Sequence, residues 1–155
     1  MPADFRALTL TPEWAWAVTH LDKRVENRTR AAPASIIGQR IAIHGGKAKP
    51  HWSAVSLMAR CAGWSVLGNA WRDFQRGDTI VNRPDWNRLT RGAIVATAVV
   101  SGCRAVDQRD AVGWEAGPWC WDITDVRVLA TPVTCRGALG LWRVPAELAE
   151  AVLRG

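Results

Sequence analysis

The sequence contains no tyrosine and only two phenylalanines in 155 residues. Its aromatic surface is therefore almost entirely indole, carried by ten tryptophans, each with a large stacking face and one N–H that needs a partner. Cysteine is sparse, and Cys61, Cys103, Cys120 and Cys135 stand far apart. There is no C-x-x-C pair and no histidine at zinc-finger spacing, so the chain carries neither a structural zinc motif nor a thioredoxin-like one. His44 and His51 are separated by a turn rather than by a metal-binding interval, and no metal or cofactor is expected. No apolar run approaches the roughly 18 residues of a membrane helix. No charged-then-apolar leader opens the chain, so a cytoplasmic protein with no membrane partner is expected. Repeats, low-complexity tracts and linkers are also missing, which predicts one domain over residues 1–155, long enough to bury its own core.

What the chain does have is positive charge. Lys and Arg outnumber Asp and Glu by 20 to 14, for a formal charge of +6 and a pI of about 9.9. Nearly all of it is arginine, which pairs with phosphate in bidentate fashion and stacks on bases. With no basic amphipathic helix to suit a membrane surface, nucleic acid is the leading partner class.

The stretch from Pro12 to Arg28, P-E-W-A-W-A-V-T-H-L-D-K-R-V-E-N-R, organises the rest. Thr11 is a good N-cap, Pro12 a good first helical residue and Glu13 suits the positive end of the dipole, which predicts a helix over 12–21. Its apolar face would hold Trp14, Ala17, Val18 and Leu21. Trp16 falls on another side, which would leave at least one indole free to line a cleft. Val25 to Thr29 alternates as a strand, placing Glu26 and Arg28 on one face and Asn27 on the other. A flat apolar surface and the polar set Lys23, Glu26, Asn27 and Arg28 would then be delivered together, as a planar, polar ligand such as a nucleobase requires. Two core indoles beside a structural ion pair would produce the same pattern.

Further strands are predicted over Phe5–Thr11, over Ile41–His44 ending at Gly45-Gly46, over the apolar run Gly92–Val100, and over Trp119–Leu129 ending before Pro132. Trp119, Trp121 and Ile123 would share one face. Val133–Arg136 and Leu139–Arg143 read as short final strands, and Pro145 opens a terminal helix over 146–153. His44 and Lys47 could place a ring nitrogen and an ammonium at a cleft mouth. Residues 50–73 read as helix interrupted by Gly63 and Gly68. Residues 71–91 interleave Arg72, Arg76, Arg83, Arg88 and Arg91 with Trp71, Phe74 and Trp86, the mixture expected of a single-strand-binding surface or of a solvated loop. Asp107, Asp110 and Glu115 lack the further ligands that a metal nuclease needs.

The order of P-E-W-A-W-A-V, K-R-V-E-N-R, G-Q-R-I-A-I-H-G-G-K, R-G-A-I-V-A-T-A-V-V, G-P-W-C-W-D-I-T-D-V-R and G-A-L-G-L-W-R-V resembles the ASCH domain family. The diagnostic G-x-K-x-x-E-x-R signature is met within Asp22–Arg28 by Lys23, Glu26 and Arg28, with aspartate next to the lysine and without the glycine. The resemblance implies an α+β, mainly β fold: a PUA-like small β-barrel with flanking helices, here with a helical insertion over about 49–91. It implies RNA or single-stranded nucleic acid binding, with a modified nucleoside as a possible ligand. It also implies an enzymatic alternative, since one branch hydrolyses N4-acylated cytidines and another is a ribonuclease. The amidohydrolase branch pairs the signature lysine with a threonine three residues on. Here Glu26 holds that position, so the threonine nucleophile is absent.

Binding would stack a base between Trp16 and Trp119 or Trp121, beside Trp14, for about 1 to 3 kcal/mol. Asn27 or Glu26 would read its edge, and Lys23, Arg28 and Lys47 would hold phosphate. If the protein is an enzyme, Lys23, Glu26 and His44 are the catalytic candidates. His44 and Lys23 could serve as base and electrostatic stabiliser toward RNA, or Glu26 as base for a water attacking a modified nucleobase.

Overall fold

The computed structural model describes residues 4–51, 53–74 and 88–155; Arg76, Arg83 and Trp86 lie outside them. Strands β1 (Arg6–Leu10), β2 (Val25–Arg28), β3 (Arg40–Gly45), β4 (Ala93–Ala105), β5 (Trp119–Thr134) and β6 (Leu141–Arg143) form one sheet in the order β2-β5-β4-β3-β1-β6. β1 and β3 run parallel and the other pairings are antiparallel. The fold is α+β and mainly β, and its sheet curls into a half-barrel with β2 and β6 at the edges, where the sequence predicts a barrel.

Two elements outrun their predicted limits. β4 continues past Val100 to Ala105, because its far half pairs with the start of β5 from Gly102–Asp122 to Ala105–Trp119. β5 runs through Pro132, which lies in the irregular stretch between the Ala96–Val128 and Ile94–Val133 pairs. Extra residues on β5 there leave no ladder position that needs an N–H from proline. Val133 and Thr134 therefore extend β5 instead of starting a new strand.

Helix α1 (Pro12–His20) begins where its sequence predicts, but by backbone alone. The Thr11 carbonyl accepts from the N–H groups of Trp14 and Ala15 at 3.1 and 3.0 Å, while the Thr11 side chain makes no capping bond. The helix is buried on two sides. Ala15 and Val18 pack inside the half-barrel with Leu8, Ile41, Ile43 and Val100. Trp16, Ala17 and Leu21 pack with Met58, Leu67 and Trp71 of α2 (Ser53–Ala62) and α3 (Trp64–Phe74). Gly63 separates α2 from α3 at φ +89°, whereas Gly68 is absorbed into α3. A third cluster, including Phe5, Leu129 and Val152, lies beneath α4 (Ala146–Arg154).

Asp22, next to the signature's lysine, has φ +56°. A left-handed residue after a helix end is normally glycine, because a side chain there crowds the following carbonyl. This turn sends Lys23 back toward α1, where its N–H bonds to the Ala17 carbonyl at 3.2 Å. The ion pair between Asp22 and Arg24 at 2.7 Å is exposed and contributes little. Asp22→Val should therefore be less stable than Asp22→Gly by about 1–2 kcal/mol in urea unfolding; equal midpoints and slopes for the two variants would contradict the strained turn.

Candidate functional site

β2 is an edge strand laid against the start of β5, with Glu26 opposite Trp121 and Arg28 opposite Trp119. As the alternation predicts, Glu26 and Arg28 share a face, Arg28 Nη1 lying 3.6 Å from Glu26 Oε1. Lys23 reaches the same carboxylate from the turn, its Nζ 3.3 Å from Glu26 Oε2 and hydrogen-bonded to the Val25 carbonyl. The ammonium also sits 5.5 Å from the Trp14 ring centroid. Lys23 and Glu26 are only 3% and 8% exposed. One buried carboxylate between two cations leaves the cluster with a net positive charge.

Above this cluster is a pocket of about 80 Å³ lined by Trp14, Lys23, Glu26, Asn27, Leu57 and Trp114. The indoles of Trp14 and Trp114 meet edge to face, with centroids 6.4 Å apart and planes at 85°. Asn27 holds the second wall in place. Its Nδ2 donates to the Trp114 carbonyl at 2.9 Å, and its Oδ1 accepts from the Ala116 N–H at 2.9 Å and the Cys120 thiol at 3.2 Å. With both ends of the amide engaged, Asn27 positions the 114–116 loop instead of presenting a free edge to a base.

The sequence reading misses Trp114, which stands in a surface loop between β4 and β5. Of the indoles it names, the structure brings Trp14 to this pocket and not Trp16, Trp119 or Trp121. Trp16 lies in the core, stacked on His20 at 5.3 Å and edge-on to Trp71 at 5.2 Å. Trp121 is buried too; its Nε1 donates to the Arg30 carbonyl at 3.0 Å and its ring lies 5.9 Å from the Arg28 guanidinium. Trp119 is half-buried and does not line the pocket. The expected slot between Trp16 and the Trp119–Trp121 strand is therefore replaced by a corner between Trp14 and Trp114.

His44 and Lys47 are not brought to this pocket. His44 is buried, with Nδ1 3.2 Å from Thr9 Oγ1 and Nε2 3.0 Å from the Cys135 carbonyl. The Cys135 carbonyl can only accept, so in the neutral ring Nε2 carries the proton and Nδ1 accepts from the Thr9 hydroxyl, whose oxygen also accepts from Trp142 Nε1 at 3.0 Å. Gly137 covers the ring so closely that a Cβ there would lie 2.6 Å from His44 Cε1. The pairing of His44 with Lys23 that a ribonuclease would use is thus not assembled. Lys47 is exposed, its stem lying across Gly92. Of the three loop acids, Asp107 bonds Arg109 and Glu115 pairs with Arg104.

Removing one member of a buried pair strands the other charge, which typically costs about 3–5 kcal/mol. Lys23→Met and Glu26→Gln should each destabilise the protein by about that much in chemical unfolding. The double variant should lose less than the sum, with a coupling of about 0.5–3 kcal/mol. Strict additivity would mean that the two side chains act independently.

Burial pushes the His44 pKa below its ordinary value, and the bond to the Cys135 carbonyl only partly opposes this. Protonation therefore favours the unfolded chain: the His44 contribution is fully present above the ordinary histidine pKa of 6.5 and is lost as pH falls below it toward the folded value. His20 is lowered for the same first cause, desolvation. Stability should fall from pH 7 to pH 5, and His44→Gln should flatten that decline, as followed by the thermal midpoint; an unchanged slope would remove His44 as its source.

No family model and no curated protein matches the chain. Among solved structures it is similar to an ASCH protein from Zymomonas mobilis at 12% identity and a TM-score of 0.52, covering 97% of this chain and 94% of that one. A serine-to-alanine variant of the Zymomonas mobilis protein matches at 12% identity with a TM-score of 0.55, covering 97% of this chain and 95% of that one. The chain has the ASCH-domain fold, a PUA-like, mainly β arrangement.

Proposed function

We propose that the chain is a single-strand nucleic-acid-binding module, with RNA as its expected partner, and that the corner between Trp14 and Trp114 receives one base. The observation that carries this is one pocket lined by two indoles and by the buried Lys23–Glu26 pair, with the partly exposed Arg28 as a second cation beside the carboxylate. An indole offers every base a stacking face, and the cluster beneath gives a polar base edge a carboxylate acceptor flanked by cations. Arg28 is partly exposed and can meet a phosphate while its guanidinium stays near Trp121.

A volume of about 80 Å³ is far below the about 300–1,000 Å³ of ordinary ligand sites. A base therefore enters by displacing the Leu57 wall on α2. An alkyl or acyl substituent on a modified base would lie against that side chain. No observation favours the hydrolase alternative, since Lys23 and Glu26 are paired with each other and His44 is held elsewhere.

Fluorescence anisotropy with labelled single-stranded RNA and DNA tests this. Trp114→Ala changes a loop residue and should weaken binding by about 1–3 kcal/mol, and parent affinity should fall steeply with salt. Binding indifferent to both Trp114→Ala and Arg28→Gln would remove the pocket from the function.

A further inference from the structure

The Trp14–Trp114 pocket does not stand alone. Its two walls, α2 and the loop after β4, go on to form a second and larger recess of about 590 Å³ lined by Arg60, Cys61, Ala111, Val112, Gly113, Glu115 and Ala116. Arg60 lies three residues, just under one helical turn, beyond Leu57, and Gly113 and Glu115 flank Trp114 in sequence, so the pocket and the recess share both walls. Between them the Cys61 thiol donates to the Gly113 carbonyl at 2.9 Å, tying α2 to the loop.

The charges in this recess are arranged unequally. Glu115 already belongs to Arg104, with Nη2 2.5 Å from Oε1, and Arg104 also pairs with Asp122 at 3.2 Å. That bond holds the Glu115 carboxyl below the usual carboxylate range. Arg60, by contrast, is exposed and has neither an ion pair nor a hydrogen bond among the described residues. The recess thus offers one uncommitted guanidinium beside an exposed Val112 and a neutralised carboxylate. An uncommitted guanidinium next to the corner proposed to take a base matches the phosphate that joins one nucleotide to the next.

We infer that the recess between α2 and the 111–116 loop is a second nucleotide subsite, in which Arg60 holds the phosphate adjoining the base in the Trp14–Trp114 pocket, so that the ligand is a polynucleotide and not a free nucleoside. This rests on the proposed nucleic-acid function and specifies its ligand. Bridging two subsites gives an oligonucleotide an advantage that no mononucleoside can have.

The test uses fluorescein-labelled ten-nucleotide RNA and DNA of mixed sequence, titrated at several salt concentrations against the parent, Arg60→Ala, Arg60→Lys and Trp114→Ala. Arg60→Ala should weaken oligonucleotide binding roughly threefold to tenfold at low salt and reduce the slope of log affinity against log salt by about 0.7, the value of one single-strand phosphate contact. Arg60→Lys should restore the slope, and competition by free nucleosides should be equally weak for the parent and Arg60→Ala. If Arg60→Ala binds with parental affinity and slope while Trp114→Ala binds poorly, the subsite is refuted and the pocket stands. If the parent binds neither oligonucleotide, the functional proposal falls and takes the subsite with it. Displacement by poly-aspartate as effective as displacement by unlabelled RNA would make the recess a general polyanion surface and overturn the assignment.

Discussion

Helix α1 is only nine residues long, yet two hydrophobic clusters meet on it, and most of the site follows from that constraint. Ala15 and Val18 close the half-barrel, while Trp16, Ala17 and Leu21 anchor α2 and α3. A helix gripped from both sides can neither slide nor roll, so the turn at its end is held firmly. Trp14, packed against both clusters, is held at their seam. Lys23 emerges from the turn at Asp22 with one available direction, toward the carboxylate on β2.

That direction takes an ammonium into a buried setting, which is unfavourable unless the geometry compensates. Compensation comes from three groups: the Glu26 carboxylate, the Val25 carbonyl and the face of Trp14. A hydrophobic pair of similar volume would serve stability as well or better. What the ion cluster adds is chemical character at the pocket floor, where a leucine and a methionine could only exclude water. The buried charges at this sheet edge therefore give the pocket lining a polar character that stability alone does not require.

Much of this arrangement is legible in the sequence. Strand alternation places Glu26 and Arg28 together, Thr11-Pro12 marks the start of α1, and Gly63 divides two helices. The choice of indoles is not legible, and the reason is specific. Periodicity assumes that a helix has one apolar face, so Trp16, lying off the face of Trp14 and Val18, looks available. Because α1 has a second buried face against α2 and α3, Trp16 is core and Trp14 is the one left at a boundary. Trp114 is invisible for a different reason: it owes its position to Asn27, 87 residues away, bonding its carbonyl. His44 ends a strand, as expected, but Gly137, Thr9 and Cys135, from three other parts of the chain, enclose it.

The two walls of the pocket are restrained to different degrees, which decides how it can open. The 114–116 loop is clamped by Asn27 through two bonds of 2.9 Å from a strand built into the sheet. α2 is held on its pocket side by weaker links. A thiol reaches the Gly113 carbonyl, and at its start Glu13 Oε1 accepts from the His51 N–H at a long 3.4 Å. The second oxygen of that buried carboxylate, Oε2, has no hydrogen-bond partner among the described residues. A thiol bond and a stretched amide bond yield more readily than two well-formed amide bonds. Enlargement of the corner falls to the half-buried Leu57 side chain, because Ala54, Met58 and Ala59 hold α2 itself in the core and Asn27 holds the 114–116 loop.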